Sequence, residues 1–261
     1  MKNELICLIA FVFVLSACEN QLAEPLSEVN SLVSQINHRG GNDAWEETFE
    51  YDNQHRLISA TDLRSLGRRR NLEYQEGQLF QERTYELMNE TLAFRDSIVR
   101  DDQGQIEAIY KFSVNGGEDV PLSRIEHLFY DDQGQVIESR TEYLNSGDYR
   151  PRKVFHWENG NIIKEDQYWN GTDLSIEFYF TYDDKLGINS NSILLFHQAG
   201  QPTRNNVISV DWTDHSGLYD TACKPCTTSY GYDDRQRPTS FSTNWGYSAT
   251  IVYKELNIQE E

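Results

Sequence analysis

Positive charge is scarce in this chain: 23 Lys and Arg residues stand against 42 Asp and Glu, for a formal net charge of −19. Acidity on that scale repels a polyanion, which removes nucleic acid as a partner and suits divalent cations or a basic partner. Catalytic and metal-binding patterns are missing as well. The histidines, at 38, 55, 127, 156, 197 and 215, stand singly, and no second Cys pair accompanies Cys223 and Cys226, so a zinc site lacks ligands. There is no Gly-x-Ser-x-Gly elbow for a hydrolase. Acidic doublets such as Asp131-Asp132 lack the spacing of a calcium loop, and they recur too regularly for any two to stand out as a glycosidase pair. Weak calcium binding at those turns stays open. The expected protein is not an enzyme and has no cofactor and no resident metal.

What is present is a repeat. Leu128 to Arg140 reads as an apolar run, the turn Asp131-Asp132-Gln133-Gly134 and a second alternating run, the pattern of a β-hairpin whose glycine takes a positive φ. Near copies occur at Tyr51-Asp52-Asn53-Gln54-His55, Arg100-Asp101-Asp102-Gln103-Gly104 and Tyr232-Asp233-Asp234-Arg235-Gln236. Shorter versions lie at Glu76-Gly77 and Asn159-Gly160, and a looser one at Tyr182-Asp183-Asp184-Lys185. A period of roughly 25 residues marks a supersecondary unit that buries its face only against neighbours. Gly77, Gly104, Gly134 and Gly160 are therefore turn glycines, while His55 and Gln236 replace glycine and predict different turns. The long step from Tyr182 to Tyr232 leaves room for one degenerate unit near Val207 to Trp212. Together the turns predict about fourteen strands.

Tyr-Asp-x-x-Gly followed by a polar and an aliphatic residue resembles the YD-type repeat of large β shells. Tyr182-Asp183-Asp184-Lys185, Asn205-Asn206-Val207 and Tyr230-Gly231-Tyr232-Asp233 with Pro238-Thr239-Ser240 are similar to Bacteroidota-type Gram-negative lipoproteins, grouped as domains of unknown function with a porin-like β fold. The likeness covers roughly residues 45 to 256. It implies an all-β antiparallel meander curled into a porin-like soluble barrel or an open curved sheet, and it brings no catalytic residues.

Ahead of the repeats, Leu5 to Leu15 is an apolar run too short to span a bilayer, and Leu15-Ser16-Ala17-Cys18 follows. This resembles a lipobox, which implies cleavage after residue 17, acylation of Cys18 and membrane attachment through its acyl chains. A plain secretory signal is the alternative. Cys7 falls in the discarded peptide, and losing Lys2 and Glu4 together leaves the net charge at −19. Glu19 is not the aspartate associated with inner-membrane retention, which points to the outer membrane with either face open. Residues 18–44 read as a tether and a short amphipathic helix, with Leu26, Val29, Val33 and Ile36 on one stripe after Pro25 and a stop at Gly40-Gly41. Residues 45–261 are then the repetitive β domain.

The strands are too polar for lipid. Lys164 and Asp166 on one face and Glu165 on the other put charge on both sides of residues 162–169. In residues 136–143, strict alternation sets Ile137 and Ser139 on one face and Val136 and Glu138 on the other. Cys223-Lys224-Pro225-Cys226 is read as a local disulfide stapling a loop, with a redox pair as the alternative. Trp45, Trp157, Trp169, Trp212 and Trp245 either supply core or stay exposed to stack on sugar rings. Arg64, Arg68, Arg69 and Arg70 make one basic loop, solvated or docking an acidic partner. The expected role is a lipid-anchored cell-envelope protein for binding or assembly, with the membrane and a protein or glycan as partners. A surface glycan-binding lipoprotein is the second reading and an extracytoplasmic thiol-redox protein the third.

Overall fold

The computed structural model describes residues 31–40, 43–64, 67–115, 117–144, 148–187, 203–217 and 224–256. Sixteen antiparallel strands follow one another around a closed barrel: β1 (Ser31–Gly40), β2 (Asp43–Tyr51), β3 (Leu57–Asp62), β4 (Arg68–Gln75), β5 (Gln78–Glu86), β6 (Thr91–Arg100), β7 (Ile106–Asn115), β8 (Glu118–Tyr130), β9 (Val136–Tyr143), β10 (Asp148–Glu158), β11 (Asn161–Tyr168), β12 (Leu174–Leu186), β13 (Asn205–Asp214), β14 (Cys226–Tyr232), β15 (Pro238–Thr243) and β16 (Tyr247–Glu255). The ring closes where β1 pairs with β16, Ile36 facing Ile251 and His38 facing Ala249.

Three expectations are corrected. No helix occurs among the described residues: Ser31 to Gly40, which includes the Val33 and Ile36 end of the expected helix, is the first strand, and residues 26–30 lie outside the described residues. The barrel therefore starts ahead of residue 45. The strand count exceeds fourteen because β16 and β1 form an eighth hairpin-like unit split between the two ends of the chain. Val207 to Trp212 belong to β13, which pairs directly with β12, so the long step reflects a long connection and not a further unit.

The turns share one construction. In each of the four Asp turns one carboxylate oxygen, of Asp52, Asp101, Asp131 or Asp233, accepts from the backbone N–H groups two and four residues on, at 2.9–3.0 Å. His55 and Gln236 do not change the turn. They take φ of 63° and 62°, near the 78° of Gly134, and make the same backbone bond back to the Asp carbonyl. The first Asp of each turn is thus explained by backbone capping.

Every odd-numbered strand carries a β-bulge at the same place. The ladder slips by one residue between Tyr51 and Glu50, Tyr74 and Glu73, Arg100 and Val99, Tyr130 and Phe129, Trp157 and His156, Tyr182 and Thr181, Tyr232 and Gly231, and at Ser34 in the seam. The extra residue points outward, so the inward positions on either side are three apart instead of two. Leu57 and Ala60, Ile106 and Ile109, and Val136 and Ser139 are such pairs, all buried, whereas the bulge residues Phe80, Ile137 and Ile163 are exposed. Val136 and Ile137 lie on opposite faces as expected, but Ser139 returns to the side of Val136.

Barrel stagger leaves each odd strand without a ladder partner on its far side at its first inward residue. The β1–β2 register begins at Gln35, and the β3–β4 register at Ser59. The carbonyls left over are taken by side chains. Tyr51 donates to Val33 O, Tyr74 to Leu57 O, Tyr130 to Ile106 O, Trp157 to Val136 O, Tyr182 to Ile162 O, Tyr230 to Val207 O and Tyr253 to Pro238 O, at 2.6–3.2 Å. Arg100 occupies the aromatic position of its unit and donates to Leu79 O at 3.3 Å. This circle of latches stitches each hairpin to the one before it. The same end holds the main apolar cluster, including Leu72, Leu79, Ile98, Leu128, Phe155 and Ile162.

Beyond that layer both walls are charged. Residues directly opposite in a ladder share a face, and Glu126 faces the buried Ile109 and Glu165 the buried Phe155, so the diagonal pairs Lys111 with Glu126 (3.3 Å) and Lys153 with Glu165 (2.9 Å) lie on the inner wall. On the outer wall Glu138 holds Arg152, Lys164 bridges Asp166 and Glu177, and Arg140 lies over Phe129. Hydrogen bonds from Lys164 and then His215 hold the Glu177 carboxyl down to about 2.

Candidate functional site: an aromatic and charged mouth opposite the repeat turns

The two rims differ in chemistry. The turns of the Asp rim are polar, and β1 starts and β16 finishes there. On the opposite rim Leu63, Met88, Leu144, Trp169 and Trp245 are exposed, each on a different turn. At one stretch of this rim, where β15, β16, β1 and β2 adjoin, aromatic and ionic side chains gather.

Register places them. His38 faces Trp45 across β1–β2, Gly40 faces Tyr247 across the seam, and Glu47 faces Asp62 across β2–β3. A Cβ on Gly40 would come within 3.2 Å of the Tyr247 ring and 3.7 Å of Trp45, so the missing side chain lets both rings pack there. Trp245 lies parallel to Tyr247 at 5.4 Å and 7°, Tyr247 meets Trp45 at 5.6 Å, and Trp45 stacks on His38 at 4.9 Å and 9°. Phe241 and Tyr230 extend the row along the wall at 5.6 and 5.9 Å. The Arg64 guanidinium sits 5.2 Å over Trp45, bonds Asp62 at 2.7 Å and lies 3.7 Å from Glu47.

The electrostatics follow from these contacts. Burial, with the Glu47 charge adding to it, pushes the Tyr247 phenol up to about 12, and its hydroxyl meets His38 Nδ1. Burial raises Asp62, but hydrogen bonds from Arg64 outweigh it and hold the carboxyl below its ordinary range. His38 is buried, with Nε2 3.7 Å from Glu47. Such a wall offers flat apolar faces beside hydrogen-bonding edges. Along the same strands, a groove of about 690 Å³ is lined by Asn37, Arg39, small hydroxyl side chains such as Ser229 and Ser240, and His38, Tyr230 and Phe241 of the aromatic row.

The other candidates from the sequence are dispersed. Gly77, Gly104, Gly134 and Gly160 lie in turns of the polar rim with positive φ. Cys226 opens β14 opposite Val210, while Cys18 and Cys223 lie outside the described residues. The arginine loop dissolves into separate contacts: Arg69 pairs with Glu90 at 3.0 Å, Arg70 with Glu82 at 4.0 Å, and Arg68 lies over Phe94. Trp212 is buried and Trp157 is a latch, whereas Trp169 and Trp245 are exposed. His38 escaped notice because a lone histidine carries no signal until the seam brings Tyr247 to it.

No protein-family model and no curated protein matches the chain. Solved structures do. A porin-like protein from Bacteroides uniformis ATCC 8492 is 12% identical with a TM-score of 0.59, over 85% of this chain and 98% of that one. A porin-like protein from Bacteroides vulgatus ATCC 8482 is 14% identical with a TM-score of 0.52, over 87% of this chain and 100% of that one. At such identities the likeness is one of fold, a closed antiparallel β barrel along nearly the whole length of both relatives.

Proposed function

We propose that the protein is a lipid-anchored, non-enzymatic component of the cell envelope, held by acylated Cys18 and binding through the mouth opposite its anchor. The observation that carries this is the difference between the turns of the two rims: β1 begins at Ser31 on the rim of the Asp turns, and Leu63, Met88, Leu144, Trp169 and Trp245 are exposed in separate turns of the other. A tether from Cys18 to Ser31, at roughly 3.5 Å per residue, reaches at most about 45 Å. The attachment thus enters at the polar rim, and the mouth stands at the other end of the barrel.

The charged outer wall supports a barrel standing in water beside the membrane, because a lipid-facing strand needs an apolar outer face. Glu138, Arg152, Lys164 and Glu177 occupy that face on consecutive strands. Latches and cross-strand ion pairs engage polar side chains on both walls, which favours a scaffold over catalysis. The porin-like relatives belong to Bacteroides, in keeping with an outer-membrane location. A Cys223–Cys226 disulfide completes the reading, stapling the loop before β14.

Expression of the full precursor with Cys18→Ala tests the anchor. The wild type is expected in the membrane fraction and the detergent phase, and the variant in the soluble fraction. Unchanged partitioning of the variant removes the lipid anchor from the reading.

A further inference from the structure

We infer that the wall of the barrel opens between β13 and β14, as a slit that starts at the mouth and is hinged near the rim of the Asp turns. The ladder there is the shortest in the ring. Ser209 faces Thr227 and Val210 faces Cys226, and no other position pairs β13 with β14 among the described residues. The next shortest ladder, β15 against β16, runs from Ser240 to Ser242, and the one between β1 and β16 runs from Ser31 to Gly40. Adjacent pairs in an antiparallel ladder alternate between hydrogen-bonded and not. Thr227 turns both its backbone groups to Asn244, its N–H to the side-chain oxygen at 3.0 Å and its carbonyl to the Asn244 N–H at 3.1 Å, which leaves Val210 and Cys226 as the hydrogen-bonded pair. The ring is thus weakest at this joint and not where the two ends of the chain meet.

Each flank of the joint is held from behind. Past Val210, β13 runs on with β12 as its partner, Trp212 facing Phe178 and Asp214 facing Ile176. The Trp212 N–H, two residues beyond Val210 and so on the same edge of β13, goes to the Asp211 carboxylate at 2.8 Å and does not extend the ladder. On the other flank β14 pairs with β15 from Thr228 to Tyr232, and Asn244 donates to the Pro225 carbonyl at 2.9 Å. Toward the Asp turns, side chains cross the joint where the ladder does not. The Tyr230 hydroxyl donates to Val207 O at 3.2 Å, and the Tyr232 hydroxyl bonds the Asp183 carboxylate of β12 and lies 3.3 Å from Asn206 Nδ2. These contacts fix the hinge. Toward the mouth, the contact across the joint is the Lys224 ammonium, 6.0 Å over the Trp212 ring.

The closed state also leaves a polar group unserved. Trp212 is 9% exposed, and its Nε1 is buried with no hydrogen-bond partner, where buried polar atoms are nearly always satisfied. Parting the strands lets water reach that nitrogen, so opening recovers a bond that closure forgoes. The slit gives the inner wall a side entrance next to the mouth, shut by one bonded pair of residues and one indole.

The test is hydrogen exchange at single amides by NMR, on the full protein in detergent and in low urea. The Val210 and Cys226 amides are expected to exchange at least about tenfold faster than those that join β1 to β16. Their rates should depend little on urea, because a slit exposes little surface. A lock supplies the second arm. Ser209→Cys with Thr227→Cys, made in a Cys223→Ser, Cys226→Ser background, sets two thiols on directly opposite residues, within the span of a disulfide. The oxidised lock should slow the Val210 amide at least about tenfold against its reduced form and leave the amides joining β1 to β16 within about twofold. Wild-type exchange at Val210 and Cys226 as slow as between β1 and β16 overturns the slit, whether or not the lock forms. Fast exchange that the oxidised lock leaves unchanged overturns it too, and so does a lock that slows both joints equally, since the whole barrel is then what opens. Should the lock fail to form, fast exchange with weak urea dependence supports the slit, and exchange that follows urea as global unfolding does overturns it.

Discussion

The Tyr130 hydroxyl donates to the carbonyl of Ile106 at 3.0 Å, across 24 residues of sequence. This single contact joins one hairpin to the previous one at a carbonyl that the ladder does not reach. Tyr130→Phe keeps the ring and removes the donor, leaving a half-buried acceptor without its partner. The expected cost is about 1–2 kcal/mol, read as a drop of a few degrees in melting temperature. Phe129→Tyr, one residue away on the outer wall, serves as the control and should change little.

The latches also predict behaviour at high pH. Burial pushes the phenols of Tyr51, Tyr74, Tyr230 and Tyr253 up to about 12, against 10.0 for a free phenol. The folded state therefore holds protons that the unfolded chain gives up first. This contribution to stability is complete below pH 10 and is lost as the pH rises through about 12. Thermal melts across that window should show a steep fall, shallower in a Tyr51→Phe, Tyr74→Phe double variant. Parallel curves for the two proteins would show that these phenols are not responsible.

Strain in two turns can be relieved. His55 and Gln236 hold φ of 63° and 62°, a region that costs a side-chain residue about 1–2 kcal/mol relative to its right-handed form. After the entropy of glycine is subtracted, Gln236→Gly should stabilise by about 0.5–1 kcal/mol. Gly134→Ala should do the reverse, since a Cβ there also meets the Gln105 side chain at 3.3 Å. Urea denaturation of the pair of variants reads both signs.

The bulge gives a sharper contrast between neighbours. Val136 is 1% exposed and Ile137 38% exposed, both apolar and adjacent in sequence. Val136→Lys should lose several kcal/mol by burying an unpaired charge, enough to abolish folding, while Ile137→Lys should stay within about 0.5 kcal/mol of wild type. Equal tolerance at the two positions would contradict the bulge.

The hairpins were legible in the sequence because their turn chemistry is local: Asp131 caps its own loop, and Gly134 supplies the left-handed residue that closes it. The first strand was not. A bulge at Ser34 places Val33 and Ile36 on one side three residues apart, which is the spacing of a helix face, so a strand with a bulge imitates an amphipathic helix. The same device weakened the alternation everywhere else. The aromatic mouth was partly visible, in that Trp245 and Trp45 could be named as stacking candidates. Their meeting with Tyr247 and His38 depends on closure between residues at opposite ends of the chain, and no local pattern records that.

Closure carries a further consequence for how the chain is made. Consecutive hairpins are contacts of short range and can form in order as each segment appears, but Ser31 faces Glu255 and Gly40 faces Tyr247. The seam must wait for the last strand, so assembly ends in one loop closure spanning nearly the entire chain, the slow kind of contact. Until then β1 and the latest strand are raw edges, rows of open backbone donors and acceptors that invite pairing with another copy. A chain stopped before Tyr247 keeps both edges permanently. Premature termination should therefore yield a sticky ribbon and not a smaller barrel, because only the final strand turns the ribbon into a ring without ends.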